Sequence, residues 1–286
     1  MSMGYLNGQF APLAELQISP MDRGFLFGDG VYEVIPCYGG KMVAMSYHLE
    51  RLHQSMDGIS LSSPHDDEAL TSLLEEVVAH NGGGDLGIYL QLTRGVVEKR
   101  QHAFPEHSNP TVFAYAFAIN PPSDGRPETA SCFKTVTRSD QRWGRCHIKS
   151  TALLGNVLHM MEAVEEDAEE VLLFNERDEL TEAAACNVFI VSQDTILTPD
   201  LDHQKLPGVT RRQCLELIEA HTDWPVEVRP VTRSEVMSAQ EVWLSSSTKE
   251  LAPVVSIDGT PVGDGLPGAR WSAAQQLFEQ HRFSSP

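Results

Sequence analysis

Cations are scarce in this chain: 21 lysines and arginines stand against 40 acidic residues, a formal net charge of −19. A surface so poor in positive charge repels nucleic acid and anionic membranes, so neither is expected as a partner. Cysteine is sparse too. Cys37, Cys132, Cys146, Cys186 and Cys214 are odd in number and scattered, with no CxxC pair. Neither a disulfide framework nor a cysteine zinc site is indicated. The 11 histidines contain no HExxH pattern, so no metal is expected. No run approaches the roughly 18 apolar residues that suggest a membrane span. The N-terminus, MSMGYLNGQFAP, lacks a basic start followed by an apolar stretch, so a cytoplasmic protein is expected. No internal repeat is visible. Any cofactor is then expected to be organic.

What is present suits a globular enzyme. The 286 residues, 41% of them hydrophobic, can build one large domain or two moderate ones. Much of the acidity lies in solvated runs such as Glu165 to Glu170 and describes a surface rather than a site. An anionic substrate would therefore need locally clustered arginine and histidine.

The pattern along the chain predicts two α/β domains. Asn7-Gly8 is a hairpin turn, and VYEVIPCYGGKMVAM reads as strand, Gly39-Gly40 turn, strand. Ser46 is expected to cap a helix bearing Leu49, Leu52, Ser55 and Met56 on one side. A second helix is expected from Asp66 or Asp67 to just before Gly82, then strands in LGIYLQLTRG and PTVFAYAFAI. Residues 120–127, rich in proline, read as a linker between an N-terminal domain, 1–119, and a C-terminal domain, 128–286. Beyond it, SCFKTVTR, EVLLFN, NVFIVS, TILTP and EVWLSSS read as strands, with a hairpin at Asp258-Gly259. Helices are expected with Leu153, Leu154, Val157, Leu158 and Met161 in step, from about Thr210 to His221, and from about Trp271.

Three weak chemical signals stand out. In CHIKSTALLGN, Lys149 lies between a strand-like segment and an apolar helix. It is either an exposed helix-entry charge, which the helix dipole disfavours, or a reactive amine, since burial disfavours the charged form of a lysine. In ELTEAAACNVF, Glu182 is either a solvated strand end or a buried carboxylate that requires a cationic partner. LPGVTRRQC opens a helix at Thr210, which either caps it or leaves an anion site at its N-terminus. Ser245 to Thr248 and Arg51 could add donors for the same anion. An aldehyde-reactive amine, a carboxylate for a pyridinium and donors for a phosphate together suggest pyridoxal 5′-phosphate as a plausible cofactor.

The chain resembles the fold-type IV pyridoxal-phosphate transaminases, and bacterial D-amino-acid (D-alanine) transaminases in particular. The resemblance is carried by DRGFLFGDGVYEVI (22–35), HLERL (48–52), LTRG (92–95), RQHAFP (100–105), RWGRCHIKSTALLGN (142–156), LTEAAACNVF (180–189), LPGVTR (206–211) and SSSTKELAPV (245–254). It implies a small N-terminal α/β domain, a larger C-terminal domain with a mixed, barrel-like sheet, and the cofactor held between them. Lys149 then matches the lysine that bonds the cofactor and carries the proton, and Glu182 the carboxylate at the pyridine nitrogen. Arg51, Val209, Thr210 and Ser247 match phosphate contacts, and Leu206 the apolar residue against the ring. Tyr32, Arg100 and His102 match the trap for the substrate α-carboxylate, with the arginine and histidine supplied by the neighbouring subunit of a homodimer. The implied reaction moves the amino group of a D-amino acid such as D-alanine to a 2-oxo acid such as 2-oxoglutarate or pyruvate. A branched-chain L-amino-acid aminotransferase, an aminodeoxychorismate lyase and a non-enzymatic binding protein are the rival readings. This chain departs from the pattern in two places. TRGVVEKRQH is one residue longer before Arg100, setting Lys99 beside the clamp, and Ala183 to Ala185 lack hydroxyls.

Overall fold

In the computed structural model, which describes residues 2–121 and 123–284, Asn7 and Gly8 take left-handed backbone, with φ 46° and 93°. They join β1 (Met3–Leu6) to β2 (Gln9–Pro12) as the sequence predicts. After α1 (Arg23–Phe27), β3 (Gly30–Tyr38) turns through Gly39-Gly40 into the two-residue β4 (Lys41–Met42). Then come α2 (Met45–Gly58), α3 (Asp67–His80), β5 (Leu86–Thr93) and β6 (Thr111–Ala118). The six strands form one sheet in the order β2-β1-β6-β5-β3-β4. Strand alternation sends Val31, Ile35, Ile88, Leu90 and Leu92 to the face covered by α2 and α3. Asp66 caps α3, accepting the Ala69 N–H at 2.9 Å. Ser46 does not cap α2. The N-cap is Ala44 in left-handed backbone, with no side-chain bond, because the chain turns sharply out of β4.

The chain divides into two units, residues 1–121 with 148–153, and residues 122–147 with 154–286. A boundary drawn along the sequence at the linker assigns 148–153 to the C-terminal part. Spatially it joins the first unit, for a reason in the sheet. The first half of β3 pairs with β5 on one side only, leaving an open edge. Residues 148–153 cover it: Tyr32 N–H donates to the Lys149 carbonyl and Thr151 N–H to the Gly30 carbonyl, each at 3.0 Å. Ile148 is buried in the first unit's core.

The second unit starts with β7 (Phe133–Ser139), α4 (Leu154–Glu165), β8 (Glu170–Phe174), β9 (Leu180–Ala183), β10 (Asn187–Ser192) and β11 (Thr195–Thr198). It continues with α5 (Val209–His221), β12 (Val226–Val228), α6 (Arg233–Met237), β13 (Glu241–Ser246), β14 (Glu250–Ile257), β15 (Thr260–Pro261) and α7 (Ala269–His281). Its nine strands form a mixed sheet, parallel at β11–β12, β14–β7 and β7–β8. Val188 and Ile190 face one core, Phe189 and Val191 the other, where Trp243, Trp271 and Phe278 pack. The expected small α/β unit and larger mixed-sheet unit are both present.

The apolar stripe of α4 does not face a core: Leu154, Val157, Leu158, Met161 and Val164 are 49–70% exposed. The helix buries His159 and Ala163 instead. The periodicity is real, but among the described residues no core covers the stripe.

Candidate active site

In the first unit, Lys149 is not at a helix start. It lies five residues before α4, in the irregular segment stapled to β3. The dipole argument raised from sequence therefore does not apply. Both its backbone groups are tied: the carbonyl to Tyr32 as above, and the N–H to Ser55 Oγ on α2 at 3.1 Å. The side chain is half-buried, with Nζ 4.1 Å from the centroid of the Tyr32 ring. Tyr32 in turn stacks on Tyr89 at 5.5 Å. Rigid backbone with a free side chain is what an amine that must meet a bound carbonyl requires.

Arg51, also expected from sequence, is buried on α2 and held by a residue that the sequence reading missed. Glu33 accepts from Arg51 Nε at 2.8 Å and from Nη2 at 2.6 Å, and from His48 Nδ1 at 2.7 Å. Burial alone would push the Glu33 carboxyl up. The Arg51 guanidinium and the His48 ring overcome this and hold it down at about 2. Burial pushes His48 below its ordinary value, against the pull of Glu33, and its Nδ1 faces the ionised Glu33 carboxylate as the donor. A signal was present in the sequence: Glu33 has the same strand parity as core-facing Val31 and Ile35, so a charge there must be buried.

Arg100 and His102 lie on the exposed, irregular loop between β5 and β6. The Arg100 guanidinium sits 4.9 Å from the Phe27 ring, and the His102 ring 5.5 Å from it. Arg100 and His102 thus both pack against one aromatic ring.

In the second unit, Glu182 is buried on β9, which excludes the solvated strand end. Its cationic partner is Arg142, a residue that the sequence reading did not single out. Arg142 Nη1 donates to Glu182 Oε1, while its Nη2 and Nε donate to Asp140 at 2.7 and 3.0 Å. Burial pushes the Glu182 carboxyl up, against the pull of Arg142. Asp140, by contrast, is held low by Arg142 and by the Thr181 hydroxyl in spite of its burial. The other Glu182 oxygen accepts the Leu206 N–H at 3.0 Å and Asn187 Nδ2 at 3.1 Å. Oε1 retains acceptor capacity for one more donor.

Asn187 links this carboxylate to the predicted anion site. It donates to the Leu206 carbonyl at 2.9 Å and stands beside Ser245 in the β10–β13 ladder. A Cβ on Gly208 would lie 1.9 Å from its Oδ1, so any side chain there would have to displace Asn187. Gly208 is the N-cap of α5 and makes no side-chain cap bond, so Thr210 is not the cap, and Val209 and Thr210 form a buried first turn. The Ser245 and Ser246 hydroxyls are buried and make no hydrogen bond, with only the weak thiol of Cys186 beside Ser246. Ser247 is half-buried in the turn that follows. Each orphaned buried hydroxyl costs about 1–3 kcal/mol. A phosphate at the α5 N-terminus would relieve that cost. The donor set of this unit therefore fits a pyridine phosphate: an acceptor for a ring N–H at Glu182 and donors for a phosphate at Val209, Thr210 and Ser245 to Ser247.

Comparison with known proteins agrees. Residues 30–257 match the family model for amino-transferase class IV. The chain is 38% identical over 279 residues to a D-alanine aminotransferase of Bacillus licheniformis, covering 97% of this chain and 96% of that one. It is 35% identical over 282 residues to a D-alanine aminotransferase of Staphylococcus haemolyticus, covering 98% of each. In fold it is similar to the branched-chain amino acid aminotransferase of Escherichia coli, with TM-score 0.90 at 22% identity over 98% of this chain and 94% of that one. It is also similar to the branched-chain amino acid aminotransferase of Thermoproteus uzoniensis, solved with norvaline, with TM-score 0.87 at 22% identity over 99% of this chain and 95% of that one. With its family model, its full-length relatives and its fold in accord, this chain belongs to the class IV aminotransferases.

Proposed function

We propose that the protein is a D-amino-acid transaminase that uses pyridoxal 5′-phosphate, transferring the amino group of D-alanine or a similar D-amino acid to a 2-oxo acid. The observation that carries this is the near-full-length identity to D-alanine aminotransferases, joined to an intact lysine, buried carboxylate and phosphate-donor set. When bound, the cofactor supplies an aldehyde carbon for the amine and an electron-withdrawing ring.

The chain's residues supply the rest. Lys149 Nζ would hold the cofactor in the resting enzyme and, once displaced by substrate, would take up the proton from the substrate Cα and give it back during the transfer. Glu182, braced by Arg142 and Asn187, keeps the ring nitrogen protonated. Val209, Thr210 and Ser247 would hold the phosphate, Arg51, bonded to Glu33, would add a charge to it, and Leu206 would lie against the ring. Tyr32, Arg100 and His102 hold the substrate carboxylate. The packing of both Arg100 and His102 against the Phe27 ring favours Arg100 over Lys99 as the cation of the clamp. The enzyme acts as a homodimer in the cytoplasm, and the exposed apolar stripe of α4 supports a second copy as its cover.

The test is a panel of half-reactions. The lysine-bound cofactor is mixed with D-alanine and with L-leucine, and its absorbance is followed. Bleaching by D-alanine is expected. Bleaching by L-leucine alone would make the enzyme a branched-chain aminotransferase, and pyruvate release from aminodeoxychorismate without an amino acceptor would make it a lyase.

A further inference from the structure

The loop that carries Arg100 and His102 is bridged to Asp22 at Val96, but farther along, at residues 101–103, its main chain is held by one buried side chain. Arg23, the first residue of α1, donates from Nη1 to the Gln101 carbonyl at 2.7 Å and to the Ala103 carbonyl at 3.3 Å. Its Nη2 donates to the His102 carbonyl at 3.2 Å, and its Nε to Asp29 at 2.6 Å. Three successive carbonyls therefore turn towards a single guanidinium.

The base of this clamp is rigid. Asp22, the N-cap of α1, accepts from Gly24 N–H at 2.8 Å, Thr93 Oγ1 at 2.7 Å and Thr111 Oγ1 at 2.6 Å. A Cβ on Gly24 would lie 2.3 Å from Thr93 Cγ2, so α1 sits directly on β5. Asp29 is shared with a second buried arginine: Arg94 donates to it from Nε at 2.9 Å and from Nη2 at 3.0 Å. Two guanidiniums around one carboxylate leave a surplus positive charge in a buried place. Carbonyl oxygens answer it, those of Ile59 and Ser60 for Arg94 and those of residues 101–103 for Arg23. The side chains are set by the last residue of α1. Phe27 touches Arg23, at 4.8 Å, as well as Arg100 and His102.

We propose that Arg23 is a positioning residue for the substrate carboxylate. It never touches substrate. It fixes the main chain of residues 101–103 so that Arg100 and His102 present their donors at a constant separation. Lysine has no planar fork and cannot reach three carbonyls and a carboxylate together. The proposal rests on the reading that Arg100 and His102 hold the carboxylate, and the test separates the two.

Holoenzymes of Arg23→Gln, Arg23→Lys, Arg100→Ala and the Arg23→Gln/Arg100→Ala double variant are compared with wild type. For Arg23→Gln, KM for D-alanine should rise about tenfold while kcat changes less than about threefold. Affinity for pyridoxal 5′-phosphate should be unchanged, and trypsin should cut after Lys99 or Arg100 faster. Arg23→Lys should fall between wild type and Arg23→Gln, and it serves alone if the glutamine variant does not fold. The double variant should raise KM no further than Arg100→Ala does, because Arg23 acts through the loop. If Arg100→Ala raises KM and neither Arg23 variant does, or if the two effects multiply, Arg23 is not a positioning residue. An unchanged KM in Arg100→Ala overturns the reading of the clamp, and this proposal with it.

Discussion

Arg142 and Glu182 form an ion pair whose side chains are only 3% and 7% exposed. Among the described residues Arg142 is the cation bonded to Glu182, and the same guanidinium also donates to Asp140 and to the Gln204 carbonyl. Replacing Arg142 with Met strands Glu182 as an unpaired buried acid. Stability should fall by about 3–5 kcal/mol, read from urea denaturation. Turnover should fall as well, because a Glu182 carboxyl pushed still higher no longer holds the ring nitrogen protonated. Unchanged turnover would mean that Glu182 does not depend on this partner.

Lys149 should be dispensable for the fold. The bonds that staple its segment to β3 and α2 are made by backbone, and they survive truncation of the side chain. Lys149→Ala should keep the melting temperature of the apo-protein within about 4 °C. Its transamination should drop by at least about a thousandfold, with the lysine-bound chromophore absent. Residual activity near wild type would remove Lys149 from the chemistry.

Gly208→Ala tests the link through Asn187. The new Cβ must displace Asn187 from its place between Glu182 and Leu206. Affinity for pyridoxal 5′-phosphate, followed by fluorescence titration, should weaken about tenfold or more, equivalent to about 1.4 kcal/mol. Asn187→Ala should weaken it in the same sense. A Gly208→Ala variant of wild-type affinity would show that Asn187 has room to move.

The apolar stripe on α4 gives an assembly prediction. Leu158→Glu places a charge at the centre of the exposed face formed by Leu154, Val157, Met161 and Val164. If a second copy covers this face, sedimentation equilibrium should show wild type as a dimer and the variant shifted towards monomer by at least about tenfold in dissociation constant. A variant that dimerises as tightly as wild type would place the interface elsewhere.

Acid stability should follow Glu33. Its carboxyl lies lower in the folded protein, about 2, than its ordinary value of 4.5. The stabilisation is therefore complete above 4.5 and is lost as pH falls towards 2. His48 acts in the same direction at higher pH: the fold holds its neutral form, and the unfolded ring takes up a proton first as pH falls. Glu33→Gln should flatten the lower limb of a plot of unfolding free energy against pH, removing about 3 kcal/mol. His48→Asn should alter only the limb near its ordinary value. A Glu33→Gln variant with the wild-type acid profile would mean that Arg51 finds equal compensation elsewhere.

Local physics made most elements legible in the chain itself. Asn7-Gly8, Gly39-Gly40 and Asp258-Gly259 all adopt positive φ at turns, because glycine, asparagine and aspartate tolerate it. Strand parity placed the core residues of β3 and β5. Two features are not set by local sequence: where α2 begins, at Ala44 rather than at the expected Ser46 cap, and which way the apolar stripe of α4 faces. The route out of β4 decides the first, and the surroundings of the stripe decide the second.

For the site, the sequence alone determined the reactive residue types and, through resemblance, the cofactor expected at Lys149, Glu182 and the Val209–Thr210 turn. The supporting shell was decided only in three dimensions. Arg142 lies 40 residues from Glu182, and Arg23 lies 78 residues from the Gln101 carbonyl it holds. Distances of that kind leave no periodic or turn signal in the chain. A buried charge announces in sequence that it must have a partner, as Glu33 and Glu182 do, because desolvation is costly. Which arginine answers is fixed by sheet register, by the covered edge of β3 and by close approaches such as Gly208 on Asn187. CHIKSTALLGN thus names the lysine, and the open edge of β3 is what holds it still.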